Sequence, residues 1–179
     1  MATIHVLDET TINKIAAGEV VERPASVIKE LIENSIDASA TNIEVEIGDG
    51  GVAYMRITDN GIGMTEEDAR LAILRHATSK IQQVEDLFDI ASLGFRGEAL
   101  DSIASVSHFS LTTRKADTDL GTRITVDGGT FTDCIPYGAA PGTTIEIKDL
   151  FYNTPARRKF LKTERTESSK IQDIVGKLA

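Results

Sequence analysis

The alternation of apolar and polar positions divides the chain into a short list of elements. From Val27 to Ala38 apolar residues recur at helical spacing, and Pro24 suits the first turn of a helix, where its missing N–H costs nothing. At 100° per residue, Val27, Ile28, Leu31, Ile32, Ile36 and Ala38 share one broad face, while Ser26, Glu30, Glu33, Asn34 and Asp37 share the other. A shorter helix is read over 10–20, with Thr10 or Thr11 as cap and Ile12, Ile15 and Ala16 at helical spacing. Residues 42–47 alternate strictly, 48–51 are a glycine-rich turn and 52–58 are the return strand, which together make a hairpin. Thr65, Glu66, Glu67 and Asp68 open a further helix with a capping pattern and a negative first turn. Weak helical spacing follows over 84–90, then a helix from about 97 to 106. Strands are read at 109–114, 121–126, 130–135 and 143–147, a short helix from Pro155, and a last helix over 166–178 with Ile171, Ile174, Val175 and Leu178 on one face.

This order predicts one α+β domain over residues 1–179: a two-layer sandwich with a mixed, largely antiparallel sheet and helices on one face. No repeat, low-complexity segment or linker interrupts it. A chain of 179 residues with 41% hydrophobic residues can bury a core of its own. Trp is absent and aromatics are few, so that core must be built from Ile, Val, Leu and Ala.

Charge and cysteine usage narrow the classes. A net charge of −9 argues against this chain alone wrapping nucleic acid, though it leaves room for a local basic patch. The single Cys134 can form no internal disulfide, which fits a reducing compartment, and it reads as a buried structural thiol. The first residues lack the basic and long apolar regions of a signal peptide, and no stretch is apolar enough to span a membrane. A cytoplasmic protein is expected. His5, His76 and His108 have no zinc-like spacing to one another or to Cys134, and no Gly-x-Ser-x-Gly elbow is present.

Candidate chemistry sits at four places, each with two readings. Glu30, Asn34 and Asp37 lie one and two turns apart and form a row, either a solvated helix face or a functional one. Asp59, Gly61 and Gly63 follow a strand end, either as an ordinary turn or as a carboxylate for an exocyclic amine with glycines that let a flat ring approach. Gly94 and Gly97 precede a helix start, either as a loop and cap or as an anion site for phosphates. Thr78, Ser79 and Lys80 are either solvated or within reach of phosphates. Taken together they make a constellation that suits a nucleotide. A single Asn carbonyl plus nucleotide phosphates is a sufficient cage for magnesium, and a Glu one turn away can deprotonate an attacking water.

Glu30-x-x-x-Asn34, Asp59-x-Gly61-x-Gly63 and the run from Gly94 to Leu100 are similar to the ATP-binding motifs of the GHKL class, which contains gyrase, a heat-shock chaperone, histidine kinases and MutL. Within that class, Ile15 to Pro24 and Phe151 to Phe160 resemble MutL, the family of DNA mismatch-repair ATPases, and the likeness covers nearly the whole chain. The resemblance implies a Bergerat-type ATPase fold. It implies Glu30 as general base, Asn34 as magnesium ligand, Asp59 as reader of the adenine amine, and a lid from about residue 75 to 97. The implied nucleotide-binding set is Asn34, Asp37, Asp59, Gly61, Gly63, Met64, Thr78, Ser79, Lys80, Gly94, Phe95, Arg96, Gly97, Glu98, Ala99, Leu100 and Thr143, the last supporting the adenine end through water. ATP and magnesium are the implied cofactors. The implied partners of a full-length protein are a second copy, the mismatch-recognition protein MutS and DNA, in a bacterial cytosol rather than a nucleus.

The family continues into a second subdomain that supplies a lysine to the γ-phosphate, and into a C-terminal dimerisation region. Neither falls within these 179 residues, so the chain is expected to be a truncated piece: a monomer with weak nucleotide binding and little turnover. The leading function is an ATP-driven clamp. A nucleotide-binding switch without turnover is the second. The third is another GHKL enzyme, a topoisomerase ATPase or a kinase. The kinase is disfavoured by Glu30, and the topoisomerase by Arg157, Arg158 and Lys159 within so MutL-like a stretch.

Overall fold

The computed structural model describes residues 21–73 and 99–179. The helix expected at 10–20, the weak helical spacing over 84–90 and the polar residues Thr78, Ser79 and Lys80 lie outside them. In chain order the described elements are helix α1 (Pro24–Asp37), strands β1 (Ile43–Gly48) and β2 (Tyr54–Asp59), helices α2 (Glu66–Ile73) and α3 (Ala99–Ser105), strands β3 (His108–Arg114), β4 (Gly121–Asp127), β5 (Thr130–Tyr137) and β6 (Gly142–Lys148), and helices α4 (Pro155–Lys159) and α5 (Glu164–Leu178). A 3-10 turn over Asp49–Gly51 joins β1 to β2, as the glycines there require.

Among the described residues the strands form one six-stranded sheet in the order β1-β2-β6-β3-β4-β5. Every described ladder in it is antiparallel. Directly opposed residues share a face, so the register sets the layers. Met55, Ile57, Leu111, Ile124 and Ile147 point to the helix side and meet Ile28, Leu31 and Ile103 in one buried cluster. Each such side chain contributes on the order of 2 kcal/mol on full burial, so this side alone can hold the two layers together. The opposite face is polar, with Glu46 and Arg56 paired at 2.8 Å and Glu146 beside Arg56 in the ladder.

Three expectations change on contact with the fold. Ile36, assigned to the apolar face of α1, is 40% exposed. Cys134 is half-buried rather than buried, because β5 is an edge strand; its Sγ donates to Glu66 Oε1 of α2 at 3.7 Å, and burial pushes the thiol pKa up. The last helix starts before 166: Thr163 caps it, its Oγ1 accepting from the Thr166 N–H at 3.2 Å. Its first turn carries Glu164 and Glu167 but no apolar residue, so periodicity gave no sign of it.

Helix α5 packs on α1 and on the 3-10 turn rather than on the sheet. Glu167 is fully buried at that contact, where it accepts from Arg23 Nη1 at 3.2 Å and from the Lys162 N–H at 3.3 Å. Gly51 has a φ of +89°, and a Cβ there would lie 2.8 Å from Pro24 Cβ. The turn therefore needs glycine to let α1 begin where it does.

Candidate functional site

Helix α1 supplies the first wall. Its polar side does not face open water: Glu30 is 8% exposed, Glu33 9%, and Asn34 and Asp37 are half-buried. Burying carboxylates costs free energy unless partners hold them, so a buried polar helix side is a built feature, unlike a solvated one. Ser35, also buried, donates its hydroxyl proton to Asp59 Oδ2 at 2.8 Å and so ties α1 to the end of β2.

Asp59 is the second wall. It is the last residue of β2 and is 9% exposed. Oδ2 takes the Ser35 hydroxyl and Oδ1 takes the Gly61 N–H at 2.9 Å. Each oxygen keeps a lone pair, so a fixed carboxylate remains able to accept from an amino group. The following residues are stapled in place. Asn60 Oδ1 accepts from the Thr41 and Asn42 N–H groups at 2.8 Å each, and the Ile62 N–H donates to the Ala38 carbonyl at 3.0 Å.

The two glycines have a reason inside the protein. A Cβ at Gly61 would lie 2.7 Å from the Ala38 carbonyl oxygen and 2.9 Å from Ala38 Cβ. A Cβ at Gly63, where φ is +71°, would overlap the Arg114 carbonyl oxygen. Both let the connection close down on α1 and β3, and its next residue, Met64, donates its N–H to Thr113 Oγ1 at 2.9 Å. Gly63→Ala is expected to cost about 2 kcal/mol or more, from the left-handed φ and the overlap together. A lower denaturant midpoint with an unchanged slope would show it. A variant as stable as the parent would mean that this connection can shift away from Arg114.

Thr143 on β6 closes the arrangement. It faces Asp59 across the β2–β6 ladder and Thr113 across the β6–β3 ladder, which puts the three side chains in one row at the strand ends. Thr143 Oγ1 lies 2.9 Å from Thr113 Oγ1. Of the expected set, Glu30, Asn34, Asp37, Asp59, Gly61, Gly63, Met64 and Thr143 fall on these converging elements, and Ala99 and Leu100 begin α3. Thr78, Ser79, Lys80, Gly94, Phe95, Arg96, Gly97 and Glu98 lie outside the described residues. Ser35 and Thr113 were not singled out in the sequence. Ser35 sits inside the motif stretch, but Thr113 has no local signal and enters only through strand register.

Among the described residues no group of three His, Cys, Asp or Glu could hold a metal ion, and no helix is long and apolar enough to cross a membrane. Asn34 on α1 carries a side-chain carbonyl oxygen, the ligand type that magnesium takes beside phosphates.

The chain is similar along its whole length to the DNA mismatch repair protein MutL of Desulforamulus reducens, at 58% identity over 179 residues, and spans 28% of that relative's length. Among solved structures it is similar to the Aquifex aeolicus MutL ATPase domain complexed with ADP, at 38% identity and a TM-score of 0.66, covering 87% of this chain and 54% of that one. It is also similar to the N-terminal domain of a DNA repair protein, at 30% identity and a TM-score of 0.75, covering 92% of this chain and 47% of that one. Residues 22–131, the span from the start of α1 into β5, match the histidine kinase-, DNA gyrase B-, and HSP90-like ATPases, and the chain belongs to that family.

Proposed function

We propose that this chain is the ATP-binding and hydrolysing part of a DNA mismatch repair protein of the MutL type. In that reading nucleotide binding closes an N-terminal dimer, hydrolysis reopens it, and the cycle links mismatch recognition to later repair on DNA. The observation that carries the reading is the buried Asp59, fixed by Ser35 and the Gly61 N–H, beside Thr143 and a helix whose Glu30 and Asn34 are one turn apart. Similarity to MutL proteins, one of them an ADP complex, supports the nucleotide.

Asp59 accepts from the adenine amine. Glu30 takes the proton of the attacking water, and its burial favours that role by keeping bulk water from competing for the carboxylate. Asn34 offers its carbonyl to magnesium, which when bound neutralises charge on the phosphates. Calorimetric titration of the chain with ATP, with magnesium and with EDTA, tests the proposal. Binding is expected in the parent, and Asn34→Ala is expected to weaken the magnesium-dependent part about tenfold or more while leaving the EDTA titration unchanged. An Asn34→Ala protein with an unaltered magnesium dependence would take Asn34 out of the metal role. No binding in either buffer would overturn the nucleotide reading.

A further inference from the structure

We propose that Thr113 is a positioning residue for base recognition: it takes up the hydroxyl proton of Thr143, so that this end of the site offers a base acceptors only. The inference rests on the adenine-nucleotide reading above. Thr113 is 1% exposed, and its Oγ1 has three partners. The Met64 N–H donates to it at 2.9 Å, it donates to the Gly142 carbonyl oxygen at 3.1 Å, and Thr143 Oγ1 lies at 2.9 Å. An amide N–H can only donate and a carbonyl oxygen can only accept, whereas a hydroxyl has one proton and two lone pairs. One arrangement satisfies all three contacts. The Thr113 proton goes to Gly142, one lone pair receives the Met64 N–H, and the other receives the Thr143 proton. Thr143 is left with lone pairs alone for the site.

Asp59, its neighbour in the row, is also an acceptor only when ionised. Adenine carries an amino donor on C6, and hypoxanthine carries a carbonyl oxygen there. A C6 oxygen set against these acceptors goes unpaired where the C6 amine is received, whatever partner the N1–H of hypoxanthine finds, and sites built to receive a particular donor reject analogues that lack it. Thr113 is 49 residues from Met64 and 30 from Thr143, so its part in this selection comes from the β3–β6 register and not from any motif.

Thr113→Val keeps the shape of the side chain and removes the oxygen. The Thr143 hydroxyl is then released to turn its proton toward a 6-oxo base. In calorimetric titrations of the 179-residue chain with ADP and with IDP, the ratio of the two affinities is expected to fall about tenfold in Thr113→Val and to survive in Thr113→Ser. Thermal unfolding of the same samples separates selection from folding, and Thr113→Ala serves if the valine variant does not fold. A folded variant without the hydroxyl that keeps the parent's ratio, even with both affinities reduced, would overturn the proposal. So would loss of the ratio in Thr113→Ser. A parent protein with no preference for ADP over IDP would instead overturn the adenine reading, and this inference with it.

Discussion

Glu30→Ala is expected to bind ATP as the parent does and to lose turnover by about 10²–10⁴-fold, the usual contribution of a positioned general base. The split follows from where the carboxylate acts. Glu30 stands one turn before Asn34 on α1, whereas the groups proposed to read the base, Asp59 and Thr143, lie at the ends of β2 and β6. Its proposed work is on the attacking water, so its contribution belongs to the transition state and not to the bound ground state. Because Glu30 is buried and partnered within the fold, truncation could also loosen α1. Glu30→Gln keeps the shape and hydrogen-bonding capacity without the basicity, so it is expected to match the alanine variant in rate and the parent in melting temperature. Phosphate release is to be measured on a longer form that carries the proposed second subdomain, which in this reading supplies a lysine to the γ-phosphate. Turnover within about tenfold of the parent would remove Glu30 from the role of base.

Periodicity reads well where a residue's neighbours are local. The β1–β2 hairpin was legible because strict alternation over 42–47 is followed by Gly48, Asp49, Gly50 and Gly51, and α1 was legible from Pro24 and its apolar stripe. What covers a face is not local. A helical wheel groups Glu30 with Asn34 and Asp37, but whether that side meets water or protein depends on elements far along the chain. Glu30 is buried and Asn34 and Asp37 are half-buried, which sets this row apart from a solvated one. Gly61 and Gly63 were recognisable as a motif, whereas the groups that forbid a side chain there, Ala38 and Arg114, are set by tertiary closure. Ser35 and Thr113 were missed for the same reason. A serine on a helix and a threonine in a strand are ordinary until register and docking bring Asp59 and Thr143 within bonding distance.

Asp59→Asn carries the other large effect, and the two hydrogen bonds already on the carboxylate say how it arises. The Gly61 N–H can only donate, so it keeps the amide oxygen of the variant on the Oδ1 side. The amide nitrogen then takes the Oδ2 position, where the Ser35 hydroxyl rotates from donating to accepting. Both internal contacts survive, so the fold should be kept and the melting temperature should change little. The surface offered to the base does change. A charge-assisted acceptor is replaced by an N–H donor, which meets the adenine amine donor to donor. Loss of the charged bond alone is worth about 1.5–3 kcal/mol, so ADP affinity should fall at least ten- to hundredfold. The same donor can pair with a 6-oxo base, so IDP should lose far less and the preference between the two should narrow or invert. Titrating the variant with both nucleotides reads the two effects together. Unchanged ADP affinity in a folded Asp59→Asn protein would mean that this carboxylate does not read the base.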